Sequence, residues 1–268
     1  MTLILGINAF HPDAAACLLC DGKLVAAVAE ERLGPRIKHV AGFPREAVRC
    51  VLGIAGAKLR DVDYVAVGHD SNANLGAKAR FVCRYPISAV GDVLSHLARR
   101  VRLSRLEEEL ARACDVSLAD CRFRVISVEH HVAHIASAFF ASPFERAAGF
   151  SYDGSGDFVT AMYAVCEGHT IRVLRRVWFP DSLGFFYTGI CQFIGFDRFG
   201  DEYKVMGLAA YGQPTYAELM CGLLRCDDGG GFRLSRRYFS RTGAKGFTAS
   251  GVERREIVLA PLYTPRFA

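Results

Sequence analysis

The chain has 268 residues, a hydrophobic fraction of 51% and a formal net charge of +5. This composition is typical of a globular protein with one large domain or two lobes, and it excludes a disordered chain. The basic residues are scattered, and their densest cluster, Arg99 to Arg105, is followed at once by Glu107 to Glu109, so we expect a solvated helix face and do not predict nucleic-acid binding.

Targeting signals and cysteine usage also limit the class of protein. The N-terminus lacks the basic segment and unbroken apolar run of a signal peptide, and no stretch of about 18 apolar residues predicts a membrane span. We therefore expect a cytoplasmic protein. The ten cysteines lie mostly in apolar patterns and are expected to be reduced core thiols, including Cys17 and Cys20, whose C-x-x-C spacing has no partner pair.

Three apolar runs open the chain, at residues 3–9, 14–20 and 23–29, and predict a three-stranded meander. His11 and Asp13 lie in the first connection, where a hairpin can approach phosphate groups. A turn aspartate is commonly structural, and that alternative stays open. We nevertheless take His11 and Asp13 as candidate catalytic residues.

A charged loop follows the third run. It contains Arg36, Lys38 and His39, and Glu31 stands shortly before it. The charges either face solvent or bind an anionic ligand, in which case Glu31 would orient them.

Helices and strands alternate after this loop. Pro44 opens a helix that extends to about Ala55, and Tyr64 to Gly68 reads as a strand. An amphipathic helical region spans about 86–113 and precedes a strand at Arg124 to Val128. With the helix that follows, the first half is predicted as β-β-β-α-β-α-β-α.

The helix after residue 128 carries two histidines on one face. Its apolar residues Val132, Ile135 and Phe139 share the opposite face. Residues four apart on a helix lie about 5–6 Å apart, so the imidazoles of His130 and His134 can reach one cation. The intervening His131 is expected to point elsewhere.

The next strand, from about residue 147, delivers Asp153 to the same region. Behind it, Gly154 to Asp157 is predicted as a turn whose backbone N–H groups could cradle a phosphate. The alternative is a buried helix with capping histidines and an ordinary hairpin turn. Because the histidine pair, the carboxylate and the turn coincide, we predict one metal ion held by His130, His134 and Asp153. Two imidazoles and a carboxylate suit iron, manganese or zinc.

The second half is predicted to repeat the topology of the first, with strands at about 147–153, 158–165 and 170–179 and a helix at about 183–194. Two such halves around a cleft describe an α/β protein of the actin-like ATPase (ribonuclease H-like) fold. The predicted domains are a complete first lobe at 1–146 and an incomplete second lobe at 147–268.

A further stretch with reactive groups is DEYKVMGLA, which begins at Asp201. Lys204 could neutralise a phosphate, and Glu202 could hold a hydroxyl-bearing acceptor or act as a base, so both are candidate catalytic residues. The alternative is a helix N-terminus with an acidic first turn and a snorkelling lysine.

Six motifs occur in order from residue 3 to about 212: GINAFHPDAAACLL, AEERLGPRIKHVAGFP, VEHHVAHIASAFFASPF, YDGSGD, SLGFFYTGICQFIGF and EYKVMGLAAYG. As a set they resemble the O-carbamoyltransferases of the nodulation-protein and antibiotic-tailoring type. The resemblance implies an actin-like lobe pair, similar to the tRNA threonylcarbamoyl-adenosine synthase, followed by a YrdC-like domain. It implies that the YrdC-like domain makes carbamoyl-adenylate from carbamoyl phosphate and ATP. The actin-like part then moves the carbamoyl group to an acceptor hydroxyl beside a mononuclear iron.

The resemblance also implies roles for individual residues. His130, His134 and Asp153 match the family's metal ligands. Lys38 and the segment Gly154, Ser155 and Gly156 match its nucleotide-contacting regions. A further carboxylate ligand and the YrdC-like domain have no match here, so we expect that this chain alone does not complete carbamoyl transfer from carbamoyl phosphate.

Two other functions stay open at this point, a tRNA threonylcarbamoyl transferase-like enzyme and a non-catalytic nucleotide-binding remnant. The hydroxylated small-molecule acceptor is not identified by the sequence.

Overall fold

The computed structural model describes residues 1–11, 13–34, 39–198, 200–239 and 261–267, without the side chains of residues 88, 92, 95, 96 and 99. The candidate residue Lys38 therefore lies outside the described residues. Within the described ranges, no helix is long and apolar enough to cross a membrane. All ten cysteines fall in these ranges and are free thiols.

The chain divides into two compact units, which we describe separately. Among the described residues, the first comprises Met1–Ser71 and Val93–Val128, and the second comprises Asn72–Asp92 and the residues from Glu129 onward. The helix that carries the histidine pair thus belongs to the second unit, whereas the predicted lobe border lay after it. The division into actin-like lobes at 1–146 and 147–268 stays a prediction.

The first unit is built on five strands: β1 (Leu3–Asn8), β2 (Ala15–Cys20), β3 (Lys23–Ala29), β4 (Tyr64–Val67) and β5 (Arg124–Ser127). They form one sheet in the order β3-β2-β1-β4-β5. Strands β1, β2 and β3 pair antiparallel, whereas β4 pairs parallel with β1 and with β5.

Eight helices occur in the described chain: α1 (Arg45–Ile54), α2 (Leu75–Arg84), α3 (Pro86–Leu103), α4 (Leu106–Ala113), α5 (His130–Phe139), α6 (Leu183–Phe193), α7 (Glu202–Ala209) and α8 (Ala217–Cys221). One-turn 3₁₀ helices lie at Glu30–Arg32, Leu59–Asp61 and Leu118–Asp120. The border between the units falls within α3.

The core of the first unit follows from the alternation of its strands. Leu3, Leu5 and Ile7 of β1 are buried, as alternate residues on one face of a strand should be. Helix α1 adds fully buried Val48 and Val51 to the same cluster. The α/β fold class and the β-β-β-α-β-α-β-α order expected of an actin-like lobe are confirmed. The helical region predicted at 86–113 consists of two helices, α3 and α4, and helix α2 precedes them.

The second unit contains an antiparallel sheet of β6 (Arg146–Gly156), β7 (Val159–Glu167) and β8 (Thr170–Trp178), and a separate hairpin of β9 (Leu224–Cys226) and β10 (Phe232–Leu234). Helix α5 packs on this sheet through Ile135 and Phe139. A Cβ atom at Gly149 of β6 would lie 2.8 Å from Ile135 Cγ2, so glycine permits the close approach of helix and strand.

The turn predicted at Gly154 to Asp157 is wrong as secondary structure. Strand β6 continues to Gly156. Its pairing with β7 is irregular at the end, because Tyr152 pairs with Ala161 and Gly156 pairs with Val159, so β6 advances four residues while β7 advances two. The chain reverses at Asp157 and Phe158, which have φ values of 50° and 72°. Two residues of positive φ form the kind of tight turn that matches the twist of a hairpin. Gly154 and Ser155 therefore lie in a bulged strand end.

Candidate metal site

Three side chains of the second unit bring ligand atoms together. His130 Nε2 lies 2.6 Å from Asp153 Oδ2 and 3.0 Å from His134 Nε2. His134 Nε2 lies 3.7 Å from the same carboxylate oxygen. The side chains of His130 and Asp153 are 21% and 28% exposed and that of His134 is 52% exposed, so the cluster is open to solvent on the side of His134. The structure thus places the three predicted ligands in one cluster.

A network of charged residues fixes the start of α5. Glu129, the N-cap residue, receives two hydrogen bonds from the Arg176 guanidinium, at 2.9 and 2.7 Å, and one from the Asn74 amide at 2.9 Å. Burial raises the pKa of Glu129, but these hydrogen bonds outweigh it and hold the pKa below its usual range. The Asp157 carboxylate accepts a hydrogen bond of 2.9 Å from the backbone N–H of His130. The helix end that carries His130 is therefore held before any ligand binds.

Asp153 is held by the first turn of α6. Ser182 is fully buried, and its hydroxyl donates to the Asp153 carbonyl at 2.8 Å while accepting from the N–H of Phe185 at 3.0 Å. A Cβ atom at Gly184 would lie 2.5 Å from the Asp153 carbonyl. Helix α6 can pack against the bulged end of β6 because residue 184 is glycine.

His131 supports the cluster from the protein interior. It is fully buried, with Nδ1 2.8 Å from Ser151 Oγ and Nε2 3.0 Å from the Val159 carbonyl oxygen. A carbonyl only accepts, so Nε2 carries a proton and donates to Val159, while Nδ1 is hydrogen-bonded to the serine hydroxyl. The prediction that His131 points away from the ligand pair therefore needs amendment, since its Nε2 is also 3.2 Å from Asp153 Oδ1.

The electrostatics of the cluster favour an ionised carboxylate. Burial raises the pKa of Asp153, but hydrogen bonding to His130, His131 and His134 outweighs burial and holds the pKa of this carboxyl well below its usual range. Asp153 is therefore a carboxylate at neutral pH, the form that ligates metal ions.

The three donors fit one divalent ion. Atoms that share a first-row ion at bond lengths near 2.1 Å lie roughly 3.0 to 3.4 Å apart, and the separations of 2.6, 3.0 and 3.7 Å bracket that range. Two imidazoles and a carboxylate are the donor set of non-haem iron sites, which leave coordination positions open for other groups. This donor set suits iron and other first-row divalent metals.

The predicted residues of the first connection lie in the first unit. Asp13 Oδ1 is 2.5 Å from His39 Nδ1, and the backbone N–H of Asp13 lies 3.3 Å from His11 Nδ1. Glu31 offers a carboxylate oxygen within 4.8 Å of the Asp13 and His39 ligand atoms. The structure therefore brings His11 and Asp13 together with His39, and their catalytic roles stay predictions.

The remaining candidates lie at the start of α7. Glu202 accepts a hydrogen bond of 2.6 Å from Thr188 of α6, so α6 contacts both Asp153 and Glu202. The Lys204 ammonium lies 2.5 Å from the buried Asp201 carboxylate. That ion pair agrees with the structural alternative for the lysine, and both catalytic roles stay untested predictions.

The fold and this cluster define the chain as an α/β protein with a candidate mononuclear metal site. A family model described as Carbamoyltransferase N-terminus matches residues 3–250. The chain therefore belongs to this family, which confirms the family resemblance predicted from the motifs.

Two curated relatives show how much of a longer protein the chain represents. The chain is 36% identical over 275 residues to the uncharacterized protein sll1178 of Synechocystis, and the matched region covers 99% of this chain and 43% of that protein. The chain is 34% identical over 250 residues to the nodulation protein NolNO of Sinorhizobium fredii, and this match covers 92% of the chain and 34% of that protein. The chain thus spans less than half the length of either relative. Among solved structures, YeaZ from Pseudomonas aeruginosa is similar with a TM-score of 0.36 and 15% identity, over 68% of each chain.

Sequence reasoning missed the residues that position the ligands. Glu129 and Asp157 fix the start of α5, and Ser182 and Gly184 fix Asp153. The serine could have been found, because Ser182 precedes an apolar helical run, which is an N-cap signal. No local pattern indicated that Arg176 pairs with Glu129, since 47 residues separate them.

Proposed function

We propose that the protein takes part in moving a carbamoyl group from carbamoyl-adenylate to a hydroxyl of a small-molecule acceptor, with the assistance of a divalent metal. One observation carries the proposal: a chain of the Carbamoyltransferase N-terminus family brings His130, His134 and Asp153 into one cluster of ligand atoms. The donor would come from carbamoyl phosphate and ATP through a YrdC-like activity.

In this proposal the metal is held by His130 and His134 through Nε2 and by Asp153 through its carboxylate. A carbamoyl carbonyl is deactivated by its nitrogen lone pair, and a bound Lewis acid supplies the polarisation that makes it electrophilic. Metal binding requires both histidines as neutral imidazoles, and their Nε2 atoms lie 3.0 Å apart, close enough to share one ion.

The surrounding residues act by holding this geometry. Glu129, Asp157 and Ser182 each fix the backbone beside a ligand residue through the hydrogen bonds described above. Outer contacts of this kind orient metal ligands and typically affect metal affinity or activity by tenfold to a hundredfold. A rigid cluster would need little reorganisation when the metal binds.

Nucleotide binding is proposed at two segments. Gly154, Ser155 and Gly156 form the bulged strand end directly after Asp153, where backbone groups leave the regular ladder. Lys38 would neutralise a phosphate of the adenylate, as the motif resemblance implies. Departure of AMP from the carbamoyl carbon would be favoured by neutralisation of its phosphate.

The acceptor hydroxyl must lose a proton as it forms the new bond to the carbamoyl carbon. Asp13 Oδ1 lies 2.5 Å from His39 Nδ1, and the Asp13 backbone N–H lies 3.3 Å from His11 Nδ1, so carboxylate and imidazole groups that can accept a proton lie side by side. We propose Asp13 and His11 for this proton step. Glu202, oriented by Thr188, is the proposed acceptor-binding carboxylate, and Lys204 is the proposed phosphate-neutralising cation.

The test generates carbamoyl-adenylate in place, with carbamoyl phosphate, ATP and a separately purified YrdC-like enzyme. The protein, loaded with ferrous iron, is added with a panel of hydroxylated acceptors, and carbamoylated products are followed by mass spectrometry. We expect a product that requires the protein and that decreases at least a hundredfold in the Asp153→Asn variant.

The matched control is His169→Ala, an exposed histidine in the turn between β7 and β8, which should retain product formation. A carbamoylated product formed equally well by wild-type protein and the Asp153→Asn variant would contradict the role of the cluster. Failure to form any carbamoylated hydroxyl across the panel would contradict the proposed reaction.

A further inference from the structure

The second unit contains a cavity to which none of the three metal-ligand candidates contributes. Its volume is about 450 Å³, and it is lined by the end of β8, the turn after β8, the β9–β10 hairpin and Tyr85. Pockets that bind small molecules typically measure about 300–1,000 Å³. The cavity is therefore large enough for a metabolite.

The lining is rich in arginine. Four guanidinium groups and two carboxylates contribute to it, from Arg175, Arg176, Arg233, Arg236, Asp181 and Asp227. Three of the arginines have acidic partners: Arg175 pairs with Asp227, Arg176 with Glu129 and Arg236 with Asp181. The fourth, Arg233, is exposed and forms no ion pair with any described residue. In the part of the chain that the structure describes, the four arginines thus outnumber their acidic partners by one.

Arg236 has an unused hydrogen-bond donor. Its Nη2 donates to Asp181 Oδ1, which also accepts from the Leu234 N–H at 2.9 Å. Its Nη1 is buried and has no hydrogen-bond partner among the described residues. A buried donor without a partner is unfavourable, and an oxyanion in the cavity would supply the missing acceptor.

The wall around Arg175 is held in place by the glycine-rich turn of the hairpin. Asp227 accepts hydrogen bonds from the N–H groups of Gly229 and Gly231, at 3.0 and 2.8 Å, and from both Nη atoms of Arg175, at 2.9 and 2.5 Å. A side chain at Gly231 would collide with the Arg175 guanidinium. The Tyr163 hydroxyl donates to the Gly230 carbonyl at 2.5 Å. The cationic wall is therefore preformed, which lowers the cost of binding an anion.

Four aromatic side chains also line the cavity. Phe179 and Phe232 are buried there, and Trp178 and Tyr85 are partly exposed. Flat apolar faces beside guanidinium groups suit a ligand that has both a ring and a negative charge.

We propose that this cavity binds a ring-bearing organic anion, whose phosphate or carboxylate group contacts Arg233 and Arg236 and whose ring packs on Trp178. The proposal is independent of carbamoyl transfer. The candidate ligands, sugar phosphates, sugar acids and nucleotides, all carry an oxyanion on a sugar or on a nucleobase-bearing ribose.

The experiment uses Trp178 as its reporter, because it is the only tryptophan of the chain. The protein is titrated with AMP, glucose 6-phosphate and glucuronate, and with glucose and inorganic phosphate as probes that lack the charge or the ring. We expect saturable fluorescence changes with at least one ring-bearing anion, at an affinity at least tenfold higher than for glucose or inorganic phosphate. Comparison of glucuronate with glucose 6-phosphate separates carboxylate from phosphate, and comparison of AMP with glucose 6-phosphate separates nucleotide from sugar.

Variants test the assigned contacts. Arg233→Gln and Arg236→Gln should each weaken binding by about tenfold to a hundredfold, the range for a charge-assisted hydrogen bond. The matched control is Arg172→Gln, an exposed arginine of β8 that does not line the cavity, and it should bind as the wild type does. Because Arg236 also pairs with Asp181, its replacement can impair folding, whereas Arg233 has no ion pair within the described ranges to lose.

Three results would overturn the proposal. They are the absence of a saturable response to all three ring-bearing anions, wild-type affinity in Arg233→Gln, and equally tight binding of inorganic phosphate. His130→Ala should bind the ring-bearing anions as the wild type does, because His130 does not line the cavity. The cavity proposal and the metal-site proposal can therefore fail independently of each other.

Discussion

Replacement of Gly156 by alanine should damage the metal site without touching a ligand atom. A Cβ atom at position 156 would overlap the Cβ, Cγ and Cδ2 atoms of His130. The imidazole must then move, because the new methyl group belongs to a strand that is paired with β7. Overpacking of this kind costs about 1–3 kcal/mol. For a chain of this size each kcal/mol lowers Tm by roughly 2–4 °C.

The assay combines thermal unfolding with calorimetric titration of ferrous iron under anaerobic conditions. Gly156→Ala should lower Tm and weaken iron binding at least tenfold, since His130 leaves its place beside Asp153. The control is Gly53→Ala in α1, where a Cβ atom meets nothing within 4 Å. That change should stabilise the protein by about 0.5–1 kcal/mol, because alanine has the higher helix propensity. Wild-type iron affinity in Gly156→Ala would refute the view that Gly156 leaves room for the His130 ring.

Two further predictions concern the supports of the second unit. Ser182→Ala removes both the N-cap of α6 and the hydrogen bond to the Asp153 carbonyl, and it should cost about 1–2 kcal/mol in urea unfolding, whereas a loss below a few tenths would contradict the capping role. Asp227→Asn tests the Arg175 pair through its pH dependence. Hydrogen bonding to Arg175 holds the pKa of Asp227 below its usual range, so its contribution to stability is fully present above the unfolded-state pKa of about 3.9 and is lost as pH falls through the folded-state value. The difference in unfolding free energy between wild type and Asp227→Asn should therefore be larger at pH 7 than at pH 3, and an equal difference at both would refute the assignment.

The ligand cluster was predictable because its signals are local. A spacing of four residues places His130 and His134 on one helix face, and the strand that ends near Asp153 follows within 20 residues. The apolar run at residues 3–9 likewise predicted a strand, which the structure has as β1, Leu3–Asn8.

The errors arose where tertiary contacts decide the structure. Glycine and serine at 154–156 are typical turn residues, but the chain reverses at Asp157 and Phe158, and Phe158 packs against Phe81 at a centroid distance of 5.4 Å. That contact joins residues 77 positions apart and leaves no trace in a local pattern. The buried role of His131 depends on Ser151 and Val159, which are also distant in sequence.

The measurement that tests the central claim most directly is the metal content of the protein. Wild-type protein and His169→Ala, loaded with ferrous iron and freed of excess metal, should each hold one ion per chain by elemental analysis, with an affinity measurable by calorimetry. The double variant His130→Ala/His134→Ala should hold none, because Asp153 alone supplies too few ligands to retain the ion. Retention of one ion per chain by the double variant, with wild-type affinity, would contradict the claim that His130, His134 and Asp153 form the metal site.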